Sequence, residues 1–324
     1  MKKKVLITGA SGFVGYHLIQ EALDKGLDVV AAVRSSSKVD HLQSLPIGFT
    51  TLDFGNRQEL VSDIKEKSYH YIIHAAGVTK AGKREEYEKV NAMYTRNIAL
   101  AASESGIAIE KFVLMSSLAA LGPVQEGGQS PVPNPVTSYG RSKLLAERHL
   151  AEVDIPYIVL RPTAVYGPRE RDIFLMLKAI SRGLEFYIGR GEQQLSFIHV
   201  KDLSAVAVRA LTSLPVNKTY NITDGRSYDR YALGNITKEL LGKRTIKLHL
   251  PVTVTRGAVA AIEAMYSLTG KTLTVNREKL NELTAANWYY AIDEAKNDLG
   301  FEPQYNLNDG LRQTLQWYKQ QQWI

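Results

Sequence analysis

With 324 residues the chain is long for one minimal domain and suits one large or two fused domains. Its 44% hydrophobic and 23% charged residues are an ordinary globular balance that argues against disorder, collagen and coiled coil, and the absence of cysteine excludes disulfides, thiolate metal ligands and thiol nucleophiles. The 40 basic against 33 acidic residues, formally +7, suit anionic ligands such as a dinucleotide phosphate; without a long basic block or basic–aromatic interleaving they do not point to nucleic acid.

In chain order, Lys4–Thr8, Val29–Val33, Phe49–Leu52, Tyr71–His74, Phe112–Met115 and Tyr157–Leu160 read as strands, short and rich in Val, Ile and Leu as strands covered on both faces must be. Helices are predicted between them at Val14–Lys25, Gln58–Lys67 (capped by Asn56 or a neighbour), Tyr87–Ser105 and Tyr139–Glu152. This alternation predicts an α/β fold, a Rossmann-type doubly wound parallel sheet. The pattern breaks near Gly167-Pro168. A helix is expected around Ile173–Arg182, a short run at Leu195–Val200 and a helix at Asp202–Ser213, and from Tyr228 onward the chain reads as mostly helical. Val254–Ser267 is apolar enough for a core helix or the lining of an apolar pocket, with core favoured. No apolar run approaches the roughly 18–20 residues of a membrane span. The apolar stretch after Lys2-Lys3-Lys4 is too short for a secretory signal. A cytoplasmic protein without membrane contact is expected.

Thr8-Gly9-Ala10-Ser11-Gly12-Phe13-Val14-Gly15 follows the first strand and opens the first helix. Glycines let the backbone turn tightly and approach a pyrophosphate, while the helix N-terminus offers free N–H groups and a positive dipole end. With strand, loop and helix in the required order, this is a strong dinucleotide signal. Tyr139 and Lys143 are four apart on a predicted helix and therefore share one face. A phenol titrates near 10; an ammonium beside it is expected to lower that value and make Tyr139 an acid or base near neutrality. The seven histidines show no cluster that supports a metal site.

The spacing Gly-x-x-Gly-x-x-Gly resembles the short-chain dehydrogenase/reductase superfamily, and the rest of the chain resembles its extended branch, the NAD-dependent epimerase/dehydratase family. The resemblance spans almost the whole chain: His74-Ala75-Ala76-Gly77, Val90-Asn91 with Thr95 and Asn97, Ser116-Ser117, Tyr139-Gly-Arg-Ser-Lys143, Arg161-Pro162-Thr163-Ala164-Val165-Tyr166-Gly167-Pro168, Phe197-Ile198-His199-Val200-Lys201-Asp202-Leu203, Leu299-Gly300-Phe301-Glu302-Pro303 and Gly310-Leu311. It implies a smaller, mostly helical substrate domain, with 1–166 plus 195–227 binding NAD(P) and 167–194 plus 228–324 forming the substrate side. It also implies hydride transfer, with Tyr139 moving the proton, Lys143 holding the phenol and the nicotinamide ribose, and Ser117 orienting the substrate oxygen. Around the cofactor it places Gly9, Ser11, Gly12, Phe13, Val14 and Gly15 at the pyrophosphate and Asp53 with Phe54 at the adenine. Ala75, Ala76 and Gly77 fall at the sheet edge, Asn91 and Ser116 near the catalytic residues, and Pro162 and Thr163 at the carboxamide. His199 falls in a structural piece. Homodimerisation through Tyr87–Ser105 and Tyr139–Glu152 is implied as well.

An NAD site of this fold places an acid at the end of the second strand for the ribose 2′-OH. Here the strand runs into Val33-Arg34-Ser35-Ser36-Ser37-Lys38, with no acid before Asp40. Arg34 offers a fork for a 2′-phosphate, Ser35 a hydroxyl and Lys38 a charge, which favours NADP(H), with NAD(H) as the alternative. Within the family, Ser117-Leu118-Ala119 lacks the acid pair of the 4,6-dehydratases, and zero cysteine excludes the Cys–His epimerase/reductases. Leu195 stands where 4-epimerases commonly carry a diphosphate-binding Arg, though Arg190, Arg277 or Lys279 are candidate substitutes. The reading is therefore an NADP(H)-dependent reductase or dehydrogenase of a carbonyl or secondary alcohol, in style like the dihydroflavonol-reductase and 3β-hydroxysteroid-dehydrogenase branch. The alternatives are a nucleotide-sugar 4-epimerase with tightly bound NAD and a non-catalytic NADP sensor.

Overall fold

The apolar runs of the first half become one sheet because each is short, β-branched and covered from both sides. In a computed structural model, residues 2–125, 132–267 and 277–324 are described. The first half contains β1 (Lys4–Thr8), α1 (Phe13–Asp24), β2 (Asp28–Ala32), β3 (Gly48–Thr50), α2 (Arg57–Lys67), β4 (Tyr71–His74), α3 (Arg84–Tyr87), α4 (Tyr94–Glu104), β5 (Lys111–Met115), α5 (Ser138–Ala151) and β6 (Tyr157–Pro162). The second half adds β7 (Ala164–Tyr166), α6 (Asp172–Ser181), β8 (Leu184–Ile188), β9 (Gln194–Leu195), β10 (Phe197–His199), α7 (Val200–Ala210), β11 (Lys218–Ile222) and β12 (Tyr228–Asp229). It ends with α8 (Ala232–Leu241), β13 (Ile246–Leu250), α9 (Val252–Ser267), α10 (Arg277–Thr284), α11 (Asp293–Leu299) and α12 (Leu307–Gln320).

Seven strands form a wholly parallel sheet in the order β11-β6-β5-β4-β1-β2-β3. Alternate side chains feed two cores. Val5, Ile7 and Val113 join Leu18, Ile19, Leu203 and Val206 under α1 and α7, and Leu6, Ile72, Phe112 and Leu114 join Leu60, Ile98 and Leu150 under α2, α4 and α5. The chain leaves β1 and β4 toward opposite flanks of the sheet, so a crevice opens at their C-terminal ends. As expected, Asn56 caps α2 by accepting from the Glu59 amide. Residues 195–227 supply α7 and β11 to this body, since β11 pairs with β6 and α7 packs beside α1. A third core gathers Tyr166, Leu177, Phe197, Leu233, Leu311, Leu315 and Tyr318 from the remaining segments.

Three expectations change. The helix read over Tyr87–Ser105 is interrupted by a π-turn at Glu88–Met93 between α3 and α4, which tucks Asn91 inward. The region after Tyr228 is mostly helical as read but also holds two short strands, β13 pairing in parallel with β8 and β12 antiparallel with β9. The described side chains of Val254–Ser267 do not form a core face: Val259 is buried while Val254 is 64% and Ile262 39% exposed. The side chains of residues 264–267 lie outside those described.

Candidate functional site

The glycine loop is shaped by backbone contacts that admit no side chain. Gly9 has φ +68°, and a Cβ there would lie 2.6 Å from the Ala75 carbonyl oxygen. A Cβ on Gly15 would lie 2.1 Å from the Gly9 oxygen, and one on Gly12 3.2 Å from it. Gly12 caps α1 without a side-chain bond, and no acid occupies the first turn, so the leading N–H groups stay open to an anion. Thr8 ties the loop to β4: its hydroxyl oxygen accepts from the Ala75 and Ala76 amides at 3.1 and 3.0 Å, leaving its proton for His74 Nδ1 at 2.9 Å. Burial holds His74 neutral, its pKa lowered to about 3, with the Lys143 charge a further cause.

Arg34, Ser35 and Lys38 all stand exposed in the loop after β2, where the Arg34 amide donates to Ser37 at 3.2 Å. Asp53 is exposed after β3 and accepts from the Gly55 amide at 2.8 Å, and Phe54 stacks on Tyr94. An uncluttered glycine cradle, an uncapped helix start and a free cationic fork are the features a dinucleotide phosphate requires, so the residues present fit that group.

Across the crevice, α5 starts at the Thr137 cap, which accepts from the Gly140 amide at 2.9 Å. Gly140 is required by packing: a Cβ would lie 2.2 Å from the Ala119 carbonyl oxygen. This close approach sets Tyr139 beside Ser117, whose hydroxyl acts to lower the phenol's pKa. Ser117 also accepts from the Ala119 amide at 3.1 Å. One turn on, Lys143 Nζ donates to the Met115 carbonyl at 2.8 Å at the end of β5. Gly77 admits this arrangement, because a Cβ on it would come within 2.9 Å of Asn91 Oδ1 and 3.4 Å of Lys143 Nζ. Asn91 is buried and fully engaged, accepting from the Val78 amide at 2.8 Å and donating to the Val78 carbonyl and Ser142 hydroxyl at 3.0 and 2.9 Å. It is no helix-surface amide.

The titration of the pair differs from the expectation. Burial pushes the Tyr139 phenol up to about 12, opposed by the Ser117 hydroxyl. It also lowers Lys143 to about 8. The ammonium faces the Met115 carbonyl and Glu147 rather than the phenol, so it does not depress the phenol's pKa.

One cluster escaped the sequence reading. Glu147, one turn beyond Lys143, is 7% exposed, pairs with Arg161 of β6 and accepts from the Ser116 hydroxyl. The signal was an acid repeating the four-residue spacing of Tyr139 and Lys143. Glu278 of α10 was also missed: it accepts from the Ser138 amide and hydroxyl and from Arg141, securing the N-terminus of α5 from the far end of the chain. Thr163 donates its amide to Ile222 at 3.1 Å, and its hydroxyl lies 2.9 Å from the Ser196 carbonyl and hydroxyl oxygens. Pro162 closes β6. His199 is buried against Tyr166 and Tyr305, caps α7 and has its pKa lowered to about 3 by burial, as suits a structural group. Among the described residues no group of three or more His, Asp or Glu could hold a metal ion.

At the place of the 4-epimerase arginine, Leu195 is a partly buried β9 residue packed in the third core. Of the candidate substitutes, Arg277 pairs with Glu263 at 3.0 Å, Lys279 pairs with Glu282, and Arg190 is exposed.

Residues 5–223 match the model of a family described as the NAD dependent epimerase/dehydratase family. Among curated proteins the chain is 29% identical to a ceramide reductase of Caulobacter vibrioides, over 99% of this chain and 96% of that protein. It is also 29% identical to a putative dihydroflavonol 4-reductase of Synechocystis, over 97% and 94%. Among solved structures it superimposes on a UDP-glucose 4-epimerase of Thermotoga maritima with a TM-score of 0.79 and 21% identity, covering 98% of this chain and 99% of that one, a likeness of fold.

Proposed function

The chain belongs to the NAD-dependent epimerase/dehydratase family, and from that premise we propose that this NAD(P)-dependent enzyme is a net reductase or dehydrogenase, moving hydride between NADP(H) and a carbonyl or secondary alcohol. The observation that carries this reading is the buried Tyr139 phenol, set beside Ser117 and one turn from Lys143, and held by burial at a pKa of about 12. At that value the phenol stays protonated through the neutral range, which is the state a proton donor in carbonyl reduction needs. A nicotinamide cofactor, when bound, would supply the hydride. Ser117 orients the substrate oxygen, Tyr139 Oη gives it the proton, and Lys143 holds the nicotinamide ribose. Glu147 and Arg161 hold Ser116 beside them.

The division of labour follows the chain: residues 1–166 with 195–227 hold the cofactor, through Gly9, Ser11, Gly12, Phe13, Val14 and Gly15 at the phosphates. Residues 167–194 with 228–324 form the substrate side. Arg34, Ser35 and Lys38, with no acid before Asp40, support NADP(H) over NAD(H) through charge-assisted bonds to a 2′-phosphate. The reductase reading over epimerisation draws on Leu195 and on the ion pairs that occupy Arg277 and Lys279. The two reductase relatives point the same way. The family likeness adds a cytoplasmic homodimer formed through α4 and α5. Calorimetry should give tighter binding of NADP than of NAD, and a carbonyl panel should draw net NADPH oxidation. NAD retained through purification, with interconversion of UDP-sugars and no net cofactor turnover, is the opposite outcome and means an epimerase.

A further inference from the structure

Among the described residues, one face of the two-stranded sheet β8–β13 has no protein layer sufficient to bury it. Its inner face is settled by contacts: Glu185 is 1% exposed and paired with Lys238 of α8, and Tyr187 stacks on His249. Successive strand residues point to opposite faces, so Leu184, Phe186 and Ile188 share the outer face. The parallel register sets Leu184 against Ile246, Phe186 against Leu248 and Ile188 against Leu250. Six large apolar side chains therefore form one outward ribbon. Ile246 is 65% exposed, Phe186 45% and Leu250 42%. Val254, just past the Pro251 turn into α9, and Leu175 on the neighbouring α6 are exposed too. An apolar patch of this kind on a soluble fold marks an interaction surface.

Charge identifies the partner. Arg182 precedes β8 and Lys243-Arg244 precede β13, so one end of the ribbon carries three exposed cations. Arg190 follows β8 and Arg256 lies in the first turns of α9, both exposed, toward the other end. Residues 243–256 contain no acid, and the one acid in 178–190 is the inward, paired Glu185. Two copies packed on this face about a two-fold axis would bring cation against cation in either orientation, which disfavours self-association. An anionic bilayer satisfies both features, taking the apolar ribbon at the acyl boundary and the arginines and lysines at the headgroups.

We propose that the outer face of β8–β13 docks the enzyme peripherally on an anionic lipid surface. This goes beyond the reductase reading and revises the expectation of no membrane contact. It is docking and not spanning: among the described residues no helix is long and apolar enough to cross a membrane.

The test is flotation of the full chain with phosphatidylglycerol/phosphatidylcholine vesicles against phosphatidylcholine alone. Binding to the anionic vesicles is expected, together with loss of about tenfold or more in partitioning for Phe186→Asp/Leu248→Asp and for Arg182→Glu/Arg244→Glu. The second pair alters only exposed charges, so it reads the same face if the first fails to fold. Native melting with undiminished vesicle binding in either pair overturns the proposal. So does a wild type that ignores the vesicles, including one that light scattering shows to be a dimer dissolved by Phe186→Asp/Leu248→Asp.

Discussion

The two parallel sheets with the longest strands treat apolar residues in opposite ways. In the seven-stranded sheet Val5, Leu6 and Ile7 are buried on both faces, and the loop above them is so close-packed that Gly9 and Gly15 leave no room for a Cβ. In β8–β13 every second residue is apolar and at least partly exposed, and the opposite face carries a buried ion pair. The first sheet carries the glycine cradle proposed for the cofactor, so its geometry is constrained atom by atom. Among the described residues the second has one exposed face, where substitution is expected to change what the chain touches rather than whether it folds.

The largest effect expected from that contrast is at Gly15. Gly15→Ala forces a Cβ against the Gly9 carbonyl and should cost about 3 kcal/mol in urea denaturation and abolish cofactor binding in calorimetry. Wild-type affinity in that variant would break the comparison.

Acid should also strike the larger body. His17, His74 and His199 are held neutral by burial, with pKa values lowered to about 4, about 3 and about 3. Once unfolded they take protons below about 6.5. The unfolded state then binds more protons, so stability falls as pH drops, by up to about 1.4 kcal/mol per pH unit for each histidine. A urea midpoint that is unchanged between pH 7 and pH 5 contradicts this.

At Lys143 the effect is on rate. Its pKa of about 8 means that the ammonium is lost as pH rises through 8, and turnover should fall with it. Lys143→Arg, which keeps its charge, should remove that alkaline limb at a lower overall rate; a limb unmoved in the variant assigns it to another group. The smallest effect belongs to the second sheet: Phe186→Ser should shift the melting free energy by only about 0.5 kcal/mol.

Much of this contrast was legible in the residues. Val-, Ile- and Leu-rich runs bounded by turns marked β1 to β6, and the glycine spacing marked the cradle, since a strand buried on both faces and a loop without Cβ atoms leave few alternatives. Leu184-Glu185-Phe186-Tyr187-Ile188 and Ile246-Lys247-Leu248-His249-Leu250 also alternate with period two, yet the first follows the helix expected around Ile173–Arg182 and the second lies in the mostly helical stretch from Tyr228, and two strands from distant segments announce their pairing only in space. Apolar content alone favours core over the lining of an apolar pocket for Val254–Ser267, and it does not say on which side the protein lies. At the site, four-residue spacing set Tyr139 and Lys143 on one face, but not where the ammonium points. The Met115 carbonyl comes from β5, and Glu278 from the far end of the chain, so the phenol's raised pKa and the securing of α5 were invisible to local pattern.

The central claim, that Tyr139 delivers the proton in NADPH-dependent reduction, is tested most directly by single-turnover NADPH oxidation in wild type and Tyr139→Phe with a carbonyl compound the wild type reduces. The variant keeps the ring and should bind NADPH with unchanged affinity while the rate falls by about 10²–10⁴-fold. Full reduction by Tyr139→Phe at wild-type rate would contradict the account and place the proton donor elsewhere.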